Sequence, residues 1–380
     1  MPTRRHILEV LSAAPLMATA GCVAAAPGPD PFAAWRNPGE GETDPRRFVL
    51  AHGLLAPNPH NRQAWLIRLE GSDAMSLFID RTRTLPQTDP SGRQVVLGCG
   101  AFLELVAQSA PRIGRIAEIQ VWPEGAPEGA LDDRPFARVT LRQDAGVAPG
   151  PLFAQIARRR TEKAPFVPTP PTDAAVAAVL QAAQAPGVIP GETREAGLRR
   201  SLIDVCWEGW GIETGTKRTH MESVNLTRIG KAEVARNPDG IDLSGGMIDV
   251  MAGLGMLTRE ALADPTSSAS KTGEDMFRKM IDATPAFFWI RSETADRVAQ
   301  LASGRAYVRA QLAAGVQGLA MHPWSLALQE YPEMAGPYAK VQSLLGARPD
   351  APVQMLVRLG AVPAPGDPAP RRRLDDLIRV

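Results

Sequence analysis

The first third of the chain contains short apolar runs with the alternation typical of β-strands. Residues 64–70 (AWLIRLE) and 75–80 (MSLFID) are separated by the turn-forming stretch GSDA, which predicts a β-hairpin. Residues 116–123 and 136–143 predict a second pair of strands around a stretch rich in turn residues. Between these pairs, residues 93–111 repeat apolar positions at spacings of three and four and stop at a proline, which predicts a buried helix.

After about Pro149 the spacing of apolar residues becomes mainly helical, and the remaining strands are further apart. Residues 286–292 (AFFWIRS) and 353–361 (VQMLVRLGA) predict two of these strands. Because helices and strands interleave but strands often occur in adjacent pairs, we expect the α+β class rather than a parallel doubly wound sheet. Helices are predicted over residues 151–166, 173–185, 192–210 and 294–320, the first running into a basic turn and the last broken into two helices at Gly304.

The N-terminus has the features of a targeting segment. Arg4 and Arg5 precede a short and weakly apolar stretch, residues 7–20, as in twin-arginine export signals, which serve proteins that fold and load a cofactor before export. A basic, frayed N-terminus is the alternative interpretation. We therefore expect residues 1–22 to be an export signal and residues 23–44, rich in Pro, Gly and Ala, to be a linker.

The end of this segment leaves two kinds of processing open. The sequence TAGC, residues 19–22, is similar to a lipoprotein box and would lead to lipidation of Cys22. Cleavage after Ala20 is the competing outcome. We expect a periplasmic protein or a membrane-anchored lipoprotein.

Composition and missing motifs exclude several classes of function. A formal net charge of +1 over 380 residues gives no global field that attracts nucleic acid. No run of about 18 apolar residues occurs, so we expect no membrane-spanning helix. Neither the histidines nor Cys99 and Cys206 have metal-ligand spacing, so we expect no metal. A P-loop, a dinucleotide fingerprint and a nucleophile elbow are also missing.

Three segments do carry recognisable chemistry, and together they resemble one family. Residues 56–65 (APNPHNRQAW) concentrate amides, residues 158–166 (RRRTEKAPF) are basic, and residues 353–374 join a strand to three arginines. These segments resemble the amide segment, the basic segment and the closing strand of FMN-dependent nitroreductases. For each segment alone, capping amides in a turn or a solvated helix end are the alternatives.

The order of the segments is unusual, because the amide segment precedes the basic one by about a hundred residues. The order resembles the fused, pseudo-dimeric Acg-like branch of the family, which includes exported or dormancy-linked proteins, some regarded as flavin-sequestering. The resemblance implies an α+β nitroreductase-like fold with one half at residues 45–148 and the other at residues 149–380. Residues 205–260 lie outside the resemblance, and we expect them to form a lid. The second half keeps only a remnant of an amide segment at residues 182–197, so we expect a monomer with one FMN.

The resemblance further implies which residues bind the cofactor. A side-chain amide both donates and accepts hydrogen bonds, as the edge of a flavin ring requires, and arginine offers forked donors to a phosphate dianion. Arg62 departs from the family and could contact the phosphate or cover the ring, while His322 and Trp324 could line the pocket. The implied FMN-binding residues are Pro57, Asn58, His60, Asn61 and Gln63 in the amide segment, and Arg159, Thr161, Lys163, Arg371 and Arg373 in the basic segments.

Three functions fit these features. The first is an exported FMN-dependent oxidoreductase that reduces a nitroaromatic, a quinone or a similar small planar acceptor, with the redox chemistry on the flavin and no catalytic side chain. The second is a flavin-binding or storage protein whose lid covers FMN. The third is an exported binding module that keeps the fold without the cofactor. The sequence names neither the electron donor nor the acceptor.

Overall fold

The structure is a computed structural model that describes residues 30–379. The predicted export signal, Cys22 and the first part of the predicted linker lie outside these residues. The described chain contains eleven α-helices, two large sheets that are mainly antiparallel and one small two-stranded parallel sheet, so the predicted α+β class is confirmed. Within residues 30–379 no helix is long and apolar enough to cross a membrane.

The first half of the chain is built on the strand pairs that the sequence predicted. The hairpin of β1 and β2 pairs Trp65 with Ile79, and β3 and β4 form the second antiparallel pair. The long helix α2 covers this sheet, with Phe102 packed against Trp65 at 4.8 Å between ring centroids. The elements of this half are α1 (Pro45–Gly53), β1 (Trp65–Glu70), β2 (Ala74–Ile79), α2 (Arg93–Ser109), β3 (Arg115–Val121) and β4 (Ala137–Gln143).

The second half carries its own four-stranded antiparallel sheet in the order β5-β8-β10-β9. Both strands predicted in this region, β8 and β10, are confirmed and pair with each other. A helical layer, α4 to α9, precedes them. The elements are α3 (Asp173–Ala183), β5 (Val188–Thr193), α4 (Ala196–Gly215), α5 (Lys217–Leu226), β6 (Thr227–Ile229), α6 (Gly230–Arg236), β7 (Ile241–Leu243), α7 (Gly246–Gly253), α8 (Arg259–Ala263), α9 (Ser268–Asp282), β8 (Ala286–Ser292), α10 (Arg297–Val316), β9 (Ala320–Pro323), α11 (Ala335–Leu344), β10 (Val353–Gly360) and β11 (Ile378–Arg379).

Helices α2 and α10, one from each half, cross at backbone contact. A Cβ added to Gly304 would lie 1.9 Å from the carbonyl oxygen of Leu97, and one added to Gly100 would lie 2.1 Å from that of Leu301. Glycine is therefore required at both positions for the helices to approach so closely. The two sheet-bearing halves pack through these helices, as expected for two halves fused in one chain.

The last residues of the chain return to the first half. We call residues 361–379 the C-terminal arm. Its strand β11 pairs in parallel with β1, with Ile378 opposite Ile67, and the amide of Ile67 donates to the carbonyl of Leu377 at 2.8 Å. The first sheet therefore has the order β11-β1-β2-β4-β3 and is completed by the second half.

Three local predictions were wrong. Residues 151–166 contain only a 3-10 turn, Phe153–Gln155, because the chain that follows extends along the edge of the second sheet. Residues 294–320 contain one helix, α10, which continues through Gly304 because the crossing, and not a break, requires that glycine. The helix predicted to start at residue 192 begins at Ala196, since β5 occupies the preceding residues.

Candidate functional site

The amide segment forms a tight loop with unusual backbone angles. His60, Asn61 and Gln63 have φ values of 47°, 50° and 50°, in the left-handed region that non-glycine residues rarely adopt. The side chain of Asn58 stabilises this conformation, because its Oδ1 accepts from the amide of Gln63 at 2.7 Å. Pro57 is buried at the start of the loop. Strained non-glycine backbone of this kind occurs at functional sites more often than elsewhere.

The amide of Asn61 binds the C-terminal arm. Asn61 Nδ2 donates to the carbonyl of Pro370 at 2.9 Å, and its Oδ1 accepts from Arg371 Nη1 at 2.7 Å. Both ends of this amide are therefore used by the protein. In the structure the Asn61 amide contacts the arm, and the contact with a flavin ring edge that the resemblance implied for it stays a prediction.

The amide of Gln63 is fully buried and joins two further segments. Gln63 Oε1 accepts from the backbone amide of Arg372 at 2.8 Å, and Gln63 Nε2 donates to the carbonyl of Pro238 at 2.8 Å. A buried amide needs partners for both its donor and its acceptor, and the arm and the region around Pro238 provide them. Gln63 therefore also contacts protein where the resemblance implied flavin.

Three arginines from two distant segments surround one indole ring. The guanidinium carbons of Arg159, Arg160 and Arg371 lie 5.2, 4.8 and 4.9 Å from the ring centroid of Trp35. We call these three arginines the basic cluster. Arg159 and Arg371 are 7% and 4% exposed, so two of the three positive charges are removed from bulk water. The predicted meeting of the early and late basic segments is thus present in the structure.

Carbonyl groups satisfy most donors of the basic cluster. The carboxylates of Glu162 and Asp367 partly compensate the charge of Arg160, whereas no described carboxylate does so for Arg159 or Arg371. Leu55 O accepts from Arg159 Nε and Nη2 at 2.9 and 2.7 Å, and from Arg371 Nη2 at 3.3 Å. Within residues 30–379, none of the three guanidinium groups forms an ion pair with a carboxylate. The Nε of Arg371 is buried without a hydrogen-bond partner in the described chain. Buried charges are normally paired, so this cluster fits an anion.

The pKa values of the cluster reflect the same imbalance. Burial lowers the pKa of Arg159 to about 10. Burial, together with the positive charges of Arg159 and Arg160, holds the pKa of Arg371 well below its ordinary value. A bound dianion would offset both effects, because an opposite charge favours the protonated guanidinium.

A second group of side chains lies at the other end of the basic segment. Burial and the positive charges of Lys163 and Arg62 lower the pKa of His60 to about 4. Burial, Arg358 and Lys163 hold the pKa of His322 well below its ordinary value. Both imidazoles are therefore neutral at pH 7, and both sense the ammonium group of Lys163. We call His60, Lys163 and His322 the imidazole–lysine group.

Lys163 is the charged member of that group. Its pKa is lowered because the surrounding protein limits hydration of the ammonium group, although the side chain keeps contact with solvent, and Asp242 opposes this effect. No described residue forms a hydrogen bond or an ion pair with it. The position of Lys163 follows from its neighbours, since Thr161 pairs with Met321 of β9 and the amide of Glu162 donates to the carbonyl of Met321 at 3.1 Å.

The imidazoles of this group have protein partners. His60 Nε2 lies 3.2 Å from Ser223 Oγ, and His322 Nδ1 lies 3.0 Å from Nη1 of the buried Arg358. Trp324, which the sequence offered as a pocket residue, is 1% exposed and belongs to the core of the second half.

Arg373, which the resemblance implied as a phosphate contact, lies outside the basic cluster. Its side chain is 62% exposed and pairs with Asp375 at 3.4 Å. The chain turns into a short 3-10 helix, Leu374–Asp376, directly after it, and this turn directs the two residues toward solvent. Arg160 takes the third place in the cluster. The run Arg158–Arg160 signalled it, whereas Trp35 was assigned to the linker and had no signal of its own.

The region predicted as a lid contacts the amide loop through several hydrogen bonds and through the carboxylate of Asp239. Asp239 pairs with Arg62 at 2.6 Å, Arg83 at 2.7 Å and Arg228 at 2.8 Å, and the amide of Gly240 donates to Asn61 O at 3.2 Å. Burial opposes ionisation of Asp239, but the arginines outweigh it and lower its pKa. Arg62 therefore binds a carboxylate of the protein. We call these four charged residues the Asp239 junction.

Comparison with known proteins adds relatives over most of the chain. No protein-family model matches it. A Mycobacterium tuberculosis protein with the provisional name of an NAD(P)H nitroreductase is 28% identical over 341 residues, which cover 87% of this chain and 90% of the relative. The acg protein of that organism, named in the same provisional way, is 32% identical over 138 residues, and this match spans only 38% of its length. These relatives support the nitroreductase family.

Solved structures of other proteins overlap with part of the chain. The FMN-dependent nitroreductase NfnB from Mycobacterium smegmatis, in complex with NADPH, has a TM-score of 0.37 and 16% identity, covering 60% of this chain and 97% of its own. Iodotyrosine deiodinase bound to FMN and 3-iodo-L-tyrosine has a TM-score of 0.37 and 13% identity, covering 58% and 95%. Both structures cover about three fifths of this chain.

Proposed function

We propose that the chain is an FMN-binding oxidoreductase of the nitroreductase type. The observation that carries this proposal is the basic cluster: three guanidinium groups that form no ion pair within residues 30–379, two of them buried and one with a buried donor left unpaired. The phosphate of FMN is a dianion with several acceptor oxygens, and arginine is the side chain best suited to it. The relatives named as NAD(P)H nitroreductases support the same assignment.

The two ends of the basic segment would bind different parts of FMN. Arg159, Arg160 and Arg371 would hold the phosphate. Lys163, four residues after Arg159, would place a positive charge at the ring end, beside the neutral imidazoles of His60 and His322. When bound, FMN supplies electron transfer from a reductant to a small planar acceptor, such as a nitroaromatic or a quinone.

The side chains around the ring end would bind and orient the flavin. With pKa values far below 7, His60 and His322 remain neutral and can serve only as hydrogen-bonding groups. Lys163 keeps the local potential positive, which favours a ring that gains negative charge. The Asp239 junction holds the predicted lid against the amide loop and so limits the access of water and of substrates.

The same junction favours the second candidate, a flavin-storage protein. The predicted lid is bound to the loop by Asp239 and also by the Gln63–Pro238 and Gly240–Asn61 hydrogen bonds. A lid held by this many contacts opens rarely, which would slow reduction by a nicotinamide donor. The rate of reduction by NADH separates an open oxidoreductase from a covered store.

Location and assembly remain part of the proposal. Arg4 and Arg5 before a weakly apolar stretch support export through a twin-arginine route, to the periplasm or to a membrane anchor at Cys22. The helix crossing between the halves supports a monomer that is an internal pseudo-dimer.

Binding of FMN and of riboflavin to the apoprotein tests the proposal, because the two ligands differ only in the phosphate. We expect FMN to bind at least about a hundredfold more tightly than riboflavin. Arg371→Gln should weaken FMN binding by at least about tenfold and leave the affinity for riboflavin unchanged. Arg373→Gln is the matched control, because Arg373 is exposed and lies outside the cluster. Equal affinities for FMN and riboflavin in the wild type would overturn the phosphate assignment.

A further inference from the structure

Residues 30–36, which we call the strap, close one side of the basic cluster. The strap contains the 3-10 turn Ala33–Trp35, and Trp35 is its one fully buried side chain, at 6% exposure. No regular structure was expected in these residues, because residues 23–44 were predicted to be a linker. A buried tryptophan in such a segment needs a structural or functional explanation.

The backbone and indole hydrogen bonds that tie the strap to the rest of the protein go to the C-terminal arm. The amide of Arg371 donates to the carbonyl of Pro31 at 2.8 Å, and Trp35 Nε1 donates to the carbonyl of Ala369 at 2.7 Å. The remaining hydrogen bonds of the strap, such as Arg36 N to Ala33 O, lie within it. The strap is therefore held by the same stretch of the arm that carries Arg371.

The indole also binds the basic cluster directly. Three guanidinium groups lie about 5 Å from its centroid, a distance at which a cation interacts favourably with an indole face. The three cations repel one another, and the ring offsets this repulsion only in part. An anion among them would remove the repulsion and would fix the positions of all three cations.

We propose that an anionic phosphate group in the basic cluster and the strap stabilise each other, and that Trp35 is the positioning residue that couples them. This inference rests on the proposed phosphate site. A phosphate that orders Arg371 also orders the arm residues that bind Pro31 and Trp35, so the strap closes more firmly when the anion is bound. By linkage, a firmly closed strap must raise the affinity for the anion by the same free energy, and we expect this gain to show as slower release.

Cleavage by trypsin after Arg36 measures closure of the strap. The Arg36 side chain is 66% exposed, but a protease needs an extended backbone, which the turn Ala33–Trp35 denies until the strap opens. Appearance of the cut between Arg36 and Asn37 is followed by mass spectrometry in the full chain, alone, with FMN and with inorganic phosphate. Saturating FMN should lower the rate of this cleavage by at least about tenfold. Inorganic phosphate should also lower it.

Variants of Trp35 test the reverse direction through the rate of FMN release. Trp35→Leu removes the aromatic face and should speed release by at least about tenfold. Trp35→Phe keeps an aromatic ring and loses only the hydrogen bond to Ala369, so its FMN release rate should increase less. This second variant keeps the test valid if Trp35→Leu fails to fold. Arg36→Lys is the matched control, because it keeps the trypsin site and does not touch the cluster. Its release rate should equal that of the wild type.

The outcomes separate this inference from the proposed function. If FMN binds but neither ligand slows the cut and both Trp35 variants release FMN at the wild-type rate, the coupling is wrong and the FMN site stands. If FMN does not bind but inorganic phosphate slows the cut, the anion-linked strap stands and the proposed function is wrong. Protection by FMN alone would place the coupling at the ring end and overturn the role given to the phosphate.

Discussion

Gly304 of α10 lies against the carbonyl oxygen of Leu97 in α2 so closely that a Cβ would come within 1.9 Å of it. No rotamer change can relieve this contact, because both partners are backbone. The crossing also brings Glu104 of α2 within 2.9 Å of both Arg305 and Arg309 of α10. This pair of helices therefore sets the relative position of the amide loop, carried by the first half, and the basic segment, carried by the second.

Gly304→Ala should destabilise the protein by about 3 kcal/mol or more, because the helices must move apart and their packed side chains must separate. Urea unfolding followed by circular dichroism measures this change. Gly273→Ala on α9 is the matched control, since an added Cβ there meets nothing within 4 Å. This control should be neutral or stabilising by up to about 1 kcal/mol, since alanine favours a helix. Equal effects at the two glycines would show that the crossing is not as tight as described.

Stability should fall as the pH is lowered from 6.5 toward 4. His60 has a pKa of about 4 in the folded protein and an ordinary value near 6.5 when unfolded, so the unfolded state binds the extra proton in this window. The contribution lost is roughly 2–3 kcal/mol.

The free energy of unfolding, measured at pH 7 and pH 5 for the wild type and for His60→Asn, isolates this contribution. The variant should lose less stability between the two pH values, while His322 still contributes to the remaining change in the same direction. An identical loss in the wild type and the variant would mean that His60 is hydrated and titrates normally.

Asp239→Asn should loosen the predicted lid. The change leaves Arg62, Arg83 and Arg228 without the carboxylate they share, and breaking a buried pair of this kind costs about 3 kcal/mol. Hydrogen exchange of the amides in residues 223–243 should become faster. Asp249→Asn is the control within the same region, because Asp249 pairs with the exposed Lys231 and does not contact the amide loop. Unchanged exchange in Asp239→Asn would remove the junction as the element that closes the lid.

Local patterns in the sequence predicted local structure well. The two short apolar runs in residues 64–80 and the turn residues between them led directly to β1 and β2. All six residues of β2 are buried, so this strand appears in the sequence as a nearly continuous apolar run. Gly304 was misread, because glycine disfavours a helix in isolation and the partner helix that requires it is two hundred residues away in the chain.

The candidate site was predicted only in part, since a side-chain type does not reveal its partner. The amides of Asn61 and Gln63 suit a flavin edge and a backbone carbonyl equally well, and the fold places Pro370 and Pro238 beside them. Arg371 was identified by its position after the closing strand, whereas Arg373 was assigned with it before the turn at Leu374 was known. Trp35 could not be found, because its partners are brought together only by the tertiary fold.

One measurement tests directly whether the protein binds FMN and whether NADH reduces it. The absorbance spectrum of the purified full-length protein is recorded, and NADH and then dithionite are added without oxygen. We expect flavin absorption bands and, after denaturation of the protein, one released FMN per chain. If the protein is an oxidoreductase, NADH should bleach these bands. Bleaching by dithionite alone would indicate the covered, stored flavin that the Asp239 junction favours. A colourless protein that also fails to bind added FMN would contradict the proposed FMN site.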